Sequence, residues 1–233
     1  MRDAENGNCK QGTGNWYVTM VTMLGKEKLR ELLKAHGKKY SEELGINLKG
    51  GKSAEVFKWF VASVLFAARI SEAIAIRTYK QFERDGLLEF RKAARASWDD
   101  YVKSLDEGGY VRYDFKTADK FLEIMKNFGE RYGGDLDKLH EEAADEKDLE
   151  RRVKELGKGI GDVTVNIFLR EMRGVWKKAN PEIGHLAKIA AKKYGIRDAK
   201  GFWTGNRIAG YDFVDFESML TRIGLELRRA KSN

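Results

Sequence analysis

The sequence predicts an all-α protein, and three observations carry that prediction. Runs rich in Lys, Glu, Leu and Ala dominate the chain, and apolar residues recur within them at helical spacing. There is little of the β-branched alternation that marks strands. Pro181 is the single proline, so helix breakers are nearly absent. At 233 residues the chain can bury a substantial core, as one large domain or two small lobes.

Residues 1–14, with Gly7, Gly12 and Gly14 among polar neighbours, read as a loose tail. Lys26 to Tyr40 reads as the first helix, and Gly45 to Gly51 as a polar connection. From about Ser53 to Ala68, the residues Val56, Phe57, Phe60, Val61, Val64 and Leu65 point inward. This most hydrophobic segment is the expected central core helix. A second helix from Ser71 to Phe82 follows almost at once. Further helices are expected at 87–94, 97–106, 117–131, 135–142 and 145–156, and one more after a glycine turn, running to about Arg173. The last part is expected to hold a helix near 183–194 and a glycine- and aromatic-rich loop at 201–211. A final amphipathic helix then buries Phe216, Met219, Leu220, Ile223 and Leu227.

Lys and Arg number 44 against 36 Asp and Glu, a formal charge of +8 that suits a polyanionic partner without specifying one. Cys9 is the only cysteine, so no disulfide framework, cysteine-based zinc site or iron–sulfur cluster can be built within the chain. His36 and His140 sit in charged helices without ligand spacing, and His185 reads as an exposed helix histidine or as an acid or base. No apolar run approaches a membrane span and no signal-peptide pattern is present, so a soluble, intracellular protein is expected.

The most specific stretch is Gly157-Lys158-Gly159-Ile160-Gly161-Asp162-Val163-Thr164-Val165-Asn166-Ile167-Phe168-Leu169, a glycine turn between two helical patterns. Leu149, Val153 and Leu156 mark the helix before it, and Val165, Phe168, Leu169 and Met172 mark the one after. A helix opening there leaves its first backbone N–H groups unpaired at the positive end of its dipole, which suits a phosphate. Gly159 and Gly161 have no Cβ, so a nucleic-acid backbone can approach. The same triplet also serves as a plain inter-helix turn. A dinucleotide loop is excluded, because it requires a preceding strand and 145–156 is helical.

Three segments in this order resemble the helix-hairpin-helix DNA glycosylases, the superfamily of endonuclease III. They are the apolar helix Phe57 to Ser71, the hairpin Leu156 to Leu169, and the helix beginning Asp215-Phe216-Glu217-Ser218-Met219-Leu220. The resemblance covers roughly residues 25–230. It implies two helical lobes, residues 52–174 as a six-helix barrel-like lobe and 15–51 with 175–233 as the other. Double-stranded DNA would lie across the cleft, with the target nucleotide extruded into it. It implies that Arg69, in the turn after the apolar helix, fills the vacated space or contacts the opposite base, though Arg69 reads equally as a solvated helix-end arginine. It further implies contacts to the DNA backbone at Gly157, Lys158, Gly159 and Gly161, with a hydroxyl contact from Thr164. A monovalent cation would be held by the carbonyls of Glu155, Gly157 and Ile160.

Two chemical positions depart from the family. The lysine of bifunctional members, two residues past the second hairpin glycine, is here Val163, and an aliphatic side chain is no nucleophile. Lys158, Lys177 and Lys178 are the nearby amines. The family aspartate that stabilises the sugar cation falls on Ile183 without gaps, or on Asn180 or Glu182 with a small shift. Glu182 is the only carboxylate of the three and the first choice. It also reads as a first-turn glutamate, and Asn180 before Pro181 as an N-cap followed by a first-position proline. Tyr110 and Tyr113 around Arg112, and Trp203, are candidate base-stacking rings or packing anchors. The cluster-binding cysteines are missing, as in cluster-free members.

The resemblance therefore implies a monofunctional base-excision glycosylase without a cofactor, monomeric, cytoplasmic and nucleoid-associated. The alternative is a catalytically silent helix-hairpin-helix protein that recognises lesions or junctions. An unrelated helical interaction protein is the third possibility.

Overall fold

The computed structural model describes residues 24–231. The expected tail at 1–14 and the lone Cys9 lie outside the described residues. The protein is all-α: thirteen helices and no strand occur among the described residues. In order they are α1 (Lys26–His36), α2 (Tyr40–Glu43), α3 (Ser53–Phe66), α4 (Glu72–Arg84), α5 (Phe90–Ala93), α6 (Trp98–Glu107) and α7 (Asp114–Tyr132). There follow α8 (Leu136–Glu142), α9 (Glu146–Lys154), α10 (Asp162–Glu171), α11 (His185–Lys193), α12 (Ala199–Gly205) and α13 (Phe213–Ala230). None is long and apolar enough to cross a membrane.

Side-chain caps set many of the boundaries. Ser71 Oγ accepts the Ile74 N–H at the start of α4. Ser97 with Asp100 and Asp212 with Asp215 form reciprocal capping boxes at α6 and α13. Asp135, Asp145 and Asp198 cap α8, α9 and α12.

Four expectations are corrected. The first helix stops at His36, and Tyr40 begins the separate turn α2. The expected helix at 87–94 shortens to α5. The stretch 201–211 is not all loop, because Gly201, Trp203 and Gly205 belong to α12. There Trp203 is buried and stacks on Phe216 with ring centroids 5.3 Å apart, so packing overrides glycine's low helix propensity. Asn180 is not an N-cap: α11 opens at His185 with Gly184 at that position, and Pro181 precedes it outside any helix.

The buried apolar residues gather in two clusters. The larger is built on α3, whose Val56, Phe57, Phe60, Val61, Val64 and Leu65 are all buried as the periodicity requires, together with Trp59. Trp59 donates its indole N–H to the Phe168 carbonyl at 3.1 Å, tying α3 to α10. Tyr40, Ile46, Leu48, Trp176 and Ala179 also belong to this cluster. The smaller cluster joins α1, α11, α12 and α13. Its tightest crossing is at Gly224, where a Cβ would stand 1.9 Å from the Leu186 carbonyl oxygen, so no other residue fits without moving α11.

A seam of buried charge lies between the clusters. The Glu171 carboxylate accepts the backbone N–H groups of Tyr40 and Ser41, both at 3.0 Å. Arg173 pairs with fully buried Glu217 at 3.2 Å. Arg222 bonds Glu43 at 2.9 Å and Glu72 at 3.3 Å, with its guanidinium 4.0 Å from the Tyr40 ring centroid. These contacts link α13 and the end of α10 to α2 and α4.

Candidate nucleic-acid interface

The glycine turn is a helical hairpin carried on α7. Arg131 Nη1 donates to the Glu155 carbonyl at 3.3 Å, and Asn127 Nδ2 donates to the Leu156 carbonyl at 3.0 Å. A Cβ on Gly157 would fall 2.7 Å from Ile124 Cγ1, and one on Gly159 3.1 Å from Lys120 Cε. Gly159 has φ +87°, a backbone that favours glycine. Gly161 is the N-cap of α10, offers no side-chain cap, and a Cβ there would meet nothing within 4 Å. The turn is therefore pinned behind and open in front, where Lys158, Gly159, Gly161, Asp162 and Val163 are exposed. Asp162 is engaged by Lys154 at 2.5 Å, which holds its carboxyl below the usual range.

Thr164 corrects the expected hydroxyl contact: it is buried, facing the core rather than the open side. Ile160 is buried as well. The Glu155 carbonyl faces the Arg131 guanidinium and the Gly157 carbonyl accepts the Ile160 N–H at 3.1 Å. A cation on the expected carbonyl set would meet a positive charge already in place, which disfavours that site. Among the described residues no three His, Cys, Asp or Glu side chains gather as metal ligands.

Glu182 comes close to the hairpin helix through Asn166, a residue the sequence reading passed over. Asn166 lies one turn beyond Val163, and its Nδ2 donates to the Glu182 carbonyl at 2.7 Å. The Glu182 side chain is 80% exposed and pairs with Lys188 at 2.9 Å. That hydrogen bond, the Lys188 charge and the Lys147 charge lower its pKa, so it is ionised at neutral pH. Asn180 is taken up differently. Its Oδ1 accepts from Arg173 Nη1 at 2.8 Å and Lys200 Nζ at 2.6 Å, and its Nδ2 donates to Glu146 Oε1 at 3.0 Å.

The other candidates separate cleanly. Arg69 is exposed in the turn between α3 and α4. Lys177 is also exposed, whereas Lys178 Nζ donates to the carbonyls of His140 and Glu141 at the end of α8. His140 stacks on Trp176 with ring centroids 5.0 Å apart, and burial followed by the Lys178 charge lowers its pKa. Tyr110 is buried and accepts from Thr117 Oγ1 at 3.1 Å, so it and Trp203 are packing residues. Tyr113 stays exposed. A residue the sequence did not single out is Lys120: half-buried against Gly159, its pKa lowered by burial. No local pattern could have found it, because the hairpin it covers lies nearly forty residues away.

A cleft of about 380 Å³ opens where α2, the end of α10 and the start of α13 meet, lined by Lys39, Ser41, Asn47, Arg173 and Asp212 among others. Lys39 bridges Asp212 at 2.9 Å and Asp215 at 3.2 Å on its rim. The hairpin is at the opposite end of α10, about 15 Å away along its ten residues. No family model, curated protein or solved structure matches this chain.

Proposed function

We propose that the protein binds duplex DNA through the hairpin and hydrolyses the N-glycosidic bond of a damaged or mispaired base. One observation carries the reading: Asn166 joins Glu182 to the first turns of the same helix whose opening glycines face solvent. A phosphate held by the amides around Gly159 and Gly161, with Lys158 beside them, positions the sugar without reading sequence. The ionised Glu182 carboxylate stabilises positive charge on the sugar as the C–N bond breaks. The departing base takes the bonding pair, and water adds to the anomeric carbon, losing its proton to the carboxylate. Val163 leaves no amine at the usual position, so the strand stays intact.

The second reading, a silent lesion binder on the same surface, is favoured by one specific feature. Asn180 is bound by three partners, and the Glu182 carboxylate is engaged by Lys188. A duplex panel separates the two, with uracil, a G·T mispair, 8-oxoguanine, hypoxanthine, alkylated adenine and an abasic site. Each reaction is sized with and without hot alkali. Breaks that need alkali and vanish in Glu182→Gln support the glycosylase. Salt-dependent binding with no break on any duplex leaves the silent binder.

A further inference from the structure

The cleft of about 380 Å³ beside α2 takes no part in the proposed DNA contact, because the hairpin opens at the other end of α10. Its volume is in the range of small-molecule sites, roughly 300–1,000 Å³, and such sites concentrate where two packed bodies meet. One wall is Ile46 and Leu48 of the larger apolar cluster, with Val175 packed against it. The facing wall is Asp212 and Val214, where α13 begins on its way into the smaller cluster. A ligand seated here touches both halves at once.

The lining is aliphatic in its body and carries charges of both signs in equal number. Lys39, Lys49 and Arg173 stand against Glu42, Glu171 and Asp212. Four of the six are committed within the protein. Lys39 bridges Asp212 and Asp215, Arg173 holds Glu217, and Glu171 accepts the N–H groups of Tyr40 and Ser41. The other two are exposed. Lys49 has no ion pair among the described residues, and Glu42 stands 3.9 Å from Lys39 Nζ, at the outer limit of pairing. Asn47 adds a donor, because its Oδ1 accepts the Lys49 N–H at 3.0 Å and its Nδ2 remains. A Cβ on Gly50 or Gly174 would meet nothing within 4 Å, so the backbone there is open to close approach. Glu42 and Asp212 repel a polyanion, and a plain hydrocarbon strands the charges. A small zwitterion with an aliphatic side chain matches every part of the lining.

We propose that this cleft binds a free aliphatic α-amino acid. Its carboxylate is held by Lys49 and Asn47, its ammonium by Glu42, and its side chain by Ile46, Leu48, Val175 and Val214. Bound there, it braces the two apolar clusters against one another. The site is independent of what the hairpin holds.

The test melts the full chain with glycine, alanine, valine, isoleucine and leucine, and titrates the tightest by calorimetry. The melting temperature is expected to rise by about 5–10 °C at about a hundredfold excess over Kd, most for the branched side chains and least for glycine. Leucinamide lacks the carboxylate and N-acetyl-leucine the ammonium, and each should bind about tenfold more weakly than leucine. Lys49→Ala and Glu42→Gln, both at exposed positions, should reproduce those two losses separately while melting as wild type without ligand. No rise with any amino acid of the panel would overturn the proposal. A rise given by inorganic phosphate alone, or equal binding of leucine and its two blocked forms, would overturn it as well.

Discussion

Asn180 and Glu182 sit two residues apart and meet different fates. The Asn180 amide joins α9, α12 and the end of α10 through Glu146, Lys200 and Arg173. Replacing it by Ala is expected to lower stability by about 1 kcal/mol, since two of its charged partners, Glu146 and Lys200, are exposed. The melting temperature should drop by about 3 °C with turnover per folded molecule unchanged. Glu182 is expected to behave in the opposite way: if the proposed glycosylase reading holds, Glu182→Gln should leave melting and DNA affinity nearly intact and remove base release. Because Lys188 lowers its pKa, base release should persist as pH falls to below the ordinary glutamate value of about 4.3. In Lys188→Ala the acid limb of the pH–rate profile moves upward. An unmoved limb would show that another group sets it.

The hairpin, as an element, separates fold from contact. Gly157 is packed on Ile124, so Gly157→Ala is expected to cost about 1–3 kcal/mol of stability through overpacking. Gly161 faces open space at φ −105°, where alanine is sterically allowed. Gly161→Ala should therefore alter stability by at most about 1 kcal/mol, as at any N-cap, yet weaken DNA binding by placing a methyl before the phosphate. Thermal melting and salt-dependent anisotropy on both variants check the contrast. The hairpin was readable in the sequence because its glycines and flanking apolar periods are local. The helix α12 was not, because Gly201 and Gly205 have low helix propensity and only the stacking of Trp203 on Phe216 holds the turn.

Across the whole molecule, the seam between the two apolar clusters holds titratable groups away from water. Burial raises the Glu217 pKa, with the Arg173 and Arg170 charges and the Gly184 N–H opposing it. The folded state therefore favours the protonated form. Its contribution to stability is complete below the unfolded glutamate pKa and is lost as pH rises through the folded value. Glu217→Gln is expected to melt no lower than wild type at neutral pH and to flatten that decline. A lower melting point across the range would show that the ion pair with Arg173 dominates instead. The sequence by itself determined the all-α class, the succession of long helices and the hairpin. Those follow from spacing, glycine and capping side chains within a few residues of one another. Only the tertiary structure decided which polar groups are free to act. Partnership is set by distant residues, as Lys120 lies on Gly159, Glu171 caps Tyr40, and Asn166 brings Glu182 to the helix that opens at Gly161.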